Sequence, residues 1–241
     1  MRVLDLLFPE KCPFCDEILN RKEEGVCGVC RKNLPVVTEP SCKRCGKPIS
    51  SVEEEYCTDC RGKDSPLSQG TALWIYTEQV KKAMADFKYE GCYTEGTFYA
   101  RELYHYRGAK ILNWDPDLII PVPLYWRKRW FRGFNQAACI ASELGRLLNI
   151  PVLEGALVRS RHTKPQKGLD DKQRRNNLKG AIQVNEKYED EICRSRRVLL
   201  VDDIYTTGST MRECASVLRK KGVKNVYFSC LCIGRDDEYR R

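Results

Sequence analysis

The chain lacks the features that would place it in or across a membrane. No apolar run approaches the roughly 18 residues that a membrane-spanning helix needs. The first nine residues are apolar, but they contain Asp5 and lack a small-residue cleavage site, so we interpret them as a short helix and not as a signal peptide. We therefore expect a cytoplasmic protein without a transmembrane segment.

The sequence also lacks the arrangements of common nucleophilic enzymes. It has two histidines, His105 and His162, and no Ser-His-Asp or Cys-His arrangement is visible around them. The 241-residue chain has fewer acidic residues than basic ones, 33 against 42, so its formal net charge is +9. Residues 1–69 contribute −1 and residues 70–241 contribute +10. The larger, basic part is therefore expected to attract polyanions.

Cysteine, in contrast, is abundant and regularly spaced. Eight of the 14 cysteines form four C-x-x-C pairs that begin every 15 residues. The pairs are Cys12/Cys15, Cys27/Cys30, Cys42/Cys45 and Cys57/Cys60. Each C-x-x-C turn directs two thiolates at one point, and two turns supply a tetrahedral Cys₄ zinc site. The pattern predicts two structural Zn²⁺ ions and disfavours a disulfide framework, because cytosolic thiols stay reduced.

The even spacing leaves the pairing of these turns open between a sequential and an interleaved arrangement. We favour sequential zinc ribbons, because the 11 residues between consecutive pairs are enough for a short hairpin. Residues 10–62 contain too few large apolar side chains for a core, so metal ligation must replace one. Four sulfur ligands leave no open position for catalysis, so the module is structural or binds a partner.

Beyond the cysteines, apolar strand patterns alternate with helical patterns. We predict a zinc-ribbon module over residues 1–62, a linker over 63–69 and a larger domain over 70–241. Predicted strands cover 70–76, 117–122, 197–201 and 225–233, and predicted helices cover 78–90, 94–107, 134–148 and 209–221. Continuous apolar strands that alternate with helices predict an α/β fold with a parallel sheet covered by helices.

One segment combines two acids with a turn rich in hydroxyls. Asp202 and Asp203 follow a predicted buried strand, and a helix follows the turn. The turn consists of Thr206, Thr207, Gly208, Ser209 and Thr210. Parallel strands bind ligands at their carboxyl ends, and a helix N-terminus suits a phosphate. The carboxylates suit sugar hydroxyls, or Mg²⁺ held through water.

A basic cluster surrounds two aromatic residues further upstream. It consists of Arg127, Lys128, Arg129, Trp130, Phe131 and Arg132. Cations that follow phosphates, together with rings that stack on bases, suit single-stranded nucleic acid. The same cluster equally suits a pyrophosphate-binding loop with a buried tryptophan, and the sequence leaves both readings open. A second basic stretch covers residues 159–179.

The segment over residues 198–210 closely resembles the loop with which type I phosphoribosyltransferases bind phosphoribosyl pyrophosphate (PRPP). The order of motifs over nearly the whole chain resembles the ComF family of competence-associated proteins (ComFC-like and GntX-like). The motifs are the four cysteine pairs, Phe87-Lys88-Tyr89, Pro121-Val-Pro123, residues 132–136, and residues 163–166 with 174–176 of a flexible loop.

This resemblance implies a type I phosphoribosyltransferase-like fold that binds PRPP together with Mg²⁺. It implies that Asp202 and Asp203 contact the ribose, and that residues 206–210 hold the 5′-phosphate. Lys88 and Arg132 then lie on the pyrophosphate side.

The family resemblance further implies an accessory protein for DNA uptake in natural transformation. Such a protein handles single-stranded DNA in the cytoplasm beside a ComFA-like helicase. One alternative is a phosphoribosyltransferase of nucleotide metabolism or salvage, although the sequence has no obvious hood for an acceptor base. Another is a zinc-ribbon adaptor on an inactive fold, which the intact phosphate motif disfavours.

Overall fold

A computed structural model describes residues 10–20, 22–88, 93–160 and 180–235. Within these ranges, the side chains of Tyr93, Thr94, Trp126, Lys128 and Arg129 are not described. Several predicted features therefore lie outside the described residues: the N-terminal helix, Tyr89, His162 and the flexible-loop motifs at 163–166 and 174–176.

The centre of the described chain is a parallel four-stranded sheet. Its strands are β1 Gly70–Ile75, β2 Leu118–Pro121, β5 Arg197–Tyr205 and β6 Asn225–Ile233. They lie in the order β1-β6-β5-β2. A parallel bridge from Ile119 to Val152 continues the sheet beyond β2. Two short strands, β3 Leu157–Arg159 and β4 Ile182–Val184, form a separate antiparallel pair.

Helices cover the sheet at places where the sequence offers caps and apolar faces. They are α1 Gly28–Asn33, α2 Glu78–Asp86, α3 Tyr93–Trp114, α4 Trp126–Arg132, α5 Gln136–Leu148, a 3₁₀ turn Glu186–Tyr188, α6 Glu189–Arg194 and α7 Ser209–Lys220. The Asn135 side chain caps the start of α5, and Asn149 ends it in the left-handed conformation. The predicted α/β fold with a helix-covered parallel sheet is confirmed.

The cysteine-rich part packs directly on the sheet. Val36 forms an antiparallel bridge with Trp74, and the Val37 amide donates to the Leu73 carbonyl oxygen at 2.9 Å. The Ile75 amide in turn donates to Pro35 at 2.8 Å. These bonds cover the edge of β1, which would otherwise expose unpaired backbone groups. The predicted zinc module and the predicted larger domain therefore share a continuous interface.

The apolar interior forms two clusters; the first contains three of the first four ribbon cysteines, and the second contains all four of the others. Phe14 and Val26 join Trp74, Phe87 and Tyr99 in the first cluster. The second cluster contains Leu67, Tyr205, Met211, Leu218 and Phe228. Among the described helices, none combines the length and apolar character that spanning a bilayer requires.

Candidate functional site

The eight regularly spaced cysteines form two compact sulfur clusters. Within each cluster the four sulfur atoms lie within 4.8 Å of one another. The first comprises Cys12, Cys15, Cys27 and Cys30, and the second comprises Cys42, Cys45, Cys57 and Cys60. A Zn–S bond of about 2.3 Å in a tetrahedron gives an S···S distance of about 3.8 Å. Observed separations of 3.6 Å (Cys15 to Cys27) and 3.5 Å (Cys45 to Cys57) fit this geometry.

These clusters have the sequential pairing that we favoured over the interleaved one. We name residues 10–33 the first ribbon and residues 40–63 the second ribbon. Each begins with the same hairpin, because the amides of Cys12 and Cys42 donate to the carbonyl oxygens five residues later, at 2.8 and 2.7 Å. Asp16 and Gly46 occupy the same left-handed position of this turn, with φ of 64° and 76°. Both sites fit structural Zn²⁺.

Cysteines outside the ribbons do not add a further cluster of metal ligands among the described residues. Cys193, Cys214, Cys230 and Cys232 are free thiols, of which Cys193 is exposed. Cys139 is disulfide-bonded.

The phosphate loop, residues 206–210, follows β5 and includes the first two residues of α7. Gly208 has φ 73° and ψ 10°, and a Cβ there would collide with the Tyr205 hydroxyl, so this position requires glycine. The Arg212 guanidinium donates from Nη2 to the Thr207 carbonyl oxygen at 2.6 Å, and the Thr207 and Ser209 hydroxyl oxygens lie 3.0 Å apart. The loop therefore presents hydroxyls and a helix N-terminus at the carboxyl end of the sheet.

Two adjacent carboxylates lie on β5 just before this loop. The strand continues to Tyr205, so Asp202 and Asp203 are part of it and not beyond its end. Lys88 Nζ lies 3.8 Å from Asp203 Oδ2, and both side chains are largely buried. Burial raises the pKa of Asp202 well above its usual range, and the neighbouring Asp203 charge raises this pKa further. The pair thus combines an ion-paired carboxylate with a partly buried one whose raised pKa disfavours ionisation.

The segment after β2 lies beside these carboxylates. Val122 donates to the Val201 carbonyl oxygen on β5 at 2.9 Å and accepts from Asn135 Nδ2 at 3.0 Å. Gln136 links two of the predicted residues, because its Nε2 donates to the Lys88 carbonyl oxygen and its Oε1 accepts from Arg132, each at 3.4 Å. The structure therefore brings Lys88 and Arg132 to the side of the site where Asp203 lies.

The basic aromatic cluster falls on α4. Trp130 and Phe131 are 78% and 80% exposed, and their rings meet edge to face at 5.5 Å. Arg127 is exposed, whereas the side chains of Lys128 and Arg129 are not described. Trp130 is therefore not the buried tryptophan of a pyrophosphate loop, and its ring faces solvent.

Sequence reasoning missed the residues that surround the phosphate loop from other elements. A cavity of about 570 Å³ separates the second ribbon from α7. Its lining includes Arg44, Lys63, Thr207, Ser209, Arg212 and Ser216. Arg212 lies in the first turn of α7, close in sequence to the phosphate loop, so its contact with the loop could have been predicted from the sequence. Arg44 and Lys63 are far from the phosphate loop in the sequence, and no local sequence pattern predicts that they line the same cavity.

Comparison with known proteins adds independent information. Residues 3–61 match a double zinc ribbon domain, and residues 132–241 match a phosphoribosyl transferase domain. Competence protein F of Haemophilus influenzae is 34% identical over 222 residues, which cover 91% of this chain and 95% of that protein. DNA utilization protein YhgH of Escherichia coli O157:H7 is 30% identical over 231 residues, with 94% and 98% covered. Competence protein ComFC of Bacillus subtilis is 28% identical over 213 residues, with 85% and 82% covered.

Proposed function

Because the chain belongs to the ComF family of competence-associated proteins, we propose that it binds PRPP and supports DNA uptake by handling single-stranded DNA in the cytoplasm. A ComFA-like helicase is the proposed partner. Similarity to proteins named for competence and DNA utilization supports the role in DNA uptake. The main observation in favour of PRPP as the ligand is the ion pair between Asp203 and Lys88 directly beside the phosphate loop.

In the proposed site, a different set of residues binds each part of PRPP. Backbone amides of the phosphate loop, with the Thr207 and Ser209 hydroxyls, bind the 5′-phosphate. Asp202 and Asp203 accept hydrogen bonds from the ribose hydroxyls, and Lys88 and Arg132 lie on the side of the pyrophosphate. Mg²⁺ bound with PRPP offsets the negative charge of the pyrophosphate group.

Replacing both carboxylates tests this site directly. Each hydrogen bond from a ribose hydroxyl to a carboxylate is worth about 1–3 kcal/mol, so Asp202→Asn with Asp203→Asn should weaken PRPP binding about tenfold or more. Titration calorimetry measures the effect, and Asp190→Asn on the exposed surface of α6 is the matched control. Unchanged affinity in a folded double variant would move the PRPP site elsewhere.

Exposed aromatic rings on a basic domain support the single-stranded DNA proposal. Trp130 and Phe131 provide stacking platforms, and residues 70–241 carry a net charge of +10. Trp130→Ala should cost about 1–3 kcal/mol of DNA affinity at every salt concentration, because stacking releases no counterions. Arg129→Ala should instead reduce the steepness of the salt dependence by about 0.7 in log–log slope.

Oligonucleotide titrations at several salt concentrations, with and without PRPP, separate these contributions. Loss of PRPP affinity in both variants, with DNA affinity unchanged, would assign α4 to the PRPP site. Absence of DNA binding even at low salt would remove the DNA role and favour the alternative, a phosphoribosyltransferase of nucleotide metabolism or salvage. The intact pair of carboxylates favours that alternative, and pyrophosphate release from PRPP in the presence of candidate acceptors measures it.

A further inference from the structure

The cavity between the second ribbon and α7 adjoins the phosphate loop on one side only. Thr207 and Ser209 line it, whereas Asp202, Asp203 and Lys88 do not. It therefore begins at the loop and extends away from the carboxylates. Its volume of about 570 Å³ lies within the range of about 300–1,000 Å³ that small-molecule sites occupy.

The cavity offers positive charge that the fold holds in place. Arg44 donates from Nη1 to the carbonyl oxygens of Cys60 and Lys63, at 2.8 and 2.5 Å, so its guanidinium is fixed against the ribbon backbone. Lys63 is exposed and forms no ion pair with a described residue. Arg212 supplies a third cation from the α7 side.

Two of the three carboxylates that line the cavity already have partners. Asp59 pairs with Lys47 at 2.5 Å, and Glu213 accepts from the Gly180 amide at 2.7 Å. Asp64 is the third carboxylate. The lining has three cations and three carboxylates, and Lys47 outside it neutralises Asp59, so a small net positive charge remains around the cavity. The hydroxyls of Thr207, Ser209 and Ser216 suit the oxygens of phosphate or sugar.

The position of the cavity bears on what can be attached to the phosphate in the loop. The 5′-phosphate of PRPP is a monoester, so PRPP itself would end at the loop and leave the cavity empty. A phosphodiester would continue past the loop into the cavity. Its far side would then meet Lys63 and Arg44, whose charges favour a further sugar-phosphate group.

We propose, on the premise that the PRPP-type site proposed above exists, that this site also binds the 3′-terminal nucleotide of a nucleic acid strand. The terminal ribose lies at the two carboxylates, its 5′-phosphate lies in the phosphate loop, and the preceding nucleotide occupies the cavity. A 3′ end is required, because an internal nucleotide has an ester in place of its 3′-hydroxyl. A ribonucleotide end has hydroxyls for both carboxylates, whereas a deoxyribonucleotide end has one.

The test compares two ligands that share a terminal nucleotide. Adenosine 5′-monophosphate stops at the loop, whereas the 5′-phosphorylated dinucleotide pApA extends beyond it and carries a second phosphate toward Lys63. Both should compete with PRPP in titrations of the full chain. Lys63→Ala should weaken the dinucleotide about threefold, the size of a surface ion pair, and leave the monophosphate unchanged within about twofold. Lys43→Ala, on the same ribbon but outside the cavity lining, should affect neither ligand.

A second variant blocks the space and not the charge. Ser216→Phe should fill the cavity, abolish competition by the dinucleotide and preserve PRPP binding. Failure of the dinucleotide to compete while PRPP binds, or equal losses for both ligands in either variant, would overturn this inference alone. Tighter binding of ADP-ribose than of the dinucleotide would overturn the assignment to a strand end. Absence of PRPP binding would instead reject the proposed function, and this inference with it.

Discussion

The first ribbon packs against α2, whereas the second ribbon faces α7 across the cavity. On the first side, Lys82 forms an ion pair with Asp16, and Gln79 Nε2 lies 3.6 Å from Cys30 Sγ. On the second side, the four ribbon cysteines share a buried cluster with Met211 and Leu218 of α7. Lys88 follows α2, and the phosphate loop leads into α7. The two ribbons thus lie next to the elements that carry opposite ends of the proposed PRPP site.

The ribbons also differ in how their sulfur clusters are enclosed. All four cysteines of the second cluster are buried, whereas Cys15 of the first is exposed. Lys47 in the second ribbon is 1% exposed and pairs with Asp59 across the two knuckles. The equivalent positions of the first ribbon, 30 residues earlier, hold exposed Glu17 and Val29. A Zn²⁺ ion with four thiolates has a net charge of −2, which a buried ammonium group offsets.

Loss of the second zinc site should have the largest effect. Cys57→Ser should reduce the zinc content from two ions to one per chain and displace α7, because metal ligation supplies much of the folding energy of a ribbon. Affinities for PRPP and for ribose 5-phosphate should both fall by about tenfold or more, a change of about 1.4 kcal/mol or more. Elemental analysis and calorimetry measure these changes. Undiminished binding of ribose 5-phosphate with one zinc ion lost would show that the second ribbon does not support the loop.

Loss of the first zinc site should affect a different part of the ligand. Cys27→Ser should also remove one zinc ion, but it should displace α2 and Lys88 in preference to the phosphate loop. PRPP affinity should fall by about threefold to tenfold, or roughly 0.6–1.4 kcal/mol. The affinity for ribose 5-phosphate, which lacks the pyrophosphate, should stay constant. Parallel losses for both ligands would contradict the division of roles between the ribbons.

The buried Lys47 should stabilise the second ribbon, whereas the exposed residue at the equivalent position of the first ribbon should contribute little. Lys47→Met leaves Asp59 without its partner, and we expect a loss of about 1–3 kcal/mol in the free energy of unfolding, because Asp59 is 42% exposed and regains some hydration. Glu17→Met at the equivalent exposed position should change stability by less than about 0.5 kcal/mol. Urea unfolding of the zinc-loaded variants measures both. Equal effects would mean that the burial of Lys47 contributes nothing specific.

The smallest expected effect concerns Asp202, which lies between the elements that the ribbons support. Burial raises the pKa of Asp202 in the folded state, so its contribution to stability is present at low pH and is lost as the pH rises through that pKa. Asp202→Asn should therefore raise the Tm at pH 8 by about 2–4 °C, a typical response to 1 kcal/mol in a chain of this size, and change it little at pH 4. An equal shift at both pH values would contradict this assignment.

Local patterns were sufficient for much of the fold and for part of the candidate site. Predicted strands 70–76 and 225–233 correspond to β1 and β6, and the predicted helix 209–221 matches α7 within one residue. Continuous apolar runs and a glycine after the last helical turn are local signals, so they can be read without knowing the fold. Helix α3 extends to Trp114, seven residues beyond the prediction, and α4 was not predicted at all.

The amino-acid sequence by itself determined which side chains could ligate zinc and which turn could hold a phosphate. Cysteine spacing and the order of Asp202, Asp203 and Gly208 depend on neighbours a few residues apart, where backbone geometry restricts the outcome. The tertiary structure alone decided that the first ribbon lies on α2, that the second faces α7, and that Lys63 reaches the cavity beside the phosphate loop. These contacts join residues more than 40 positions apart, and they depend on how apolar faces of separate elements pack, which no local pattern encodes.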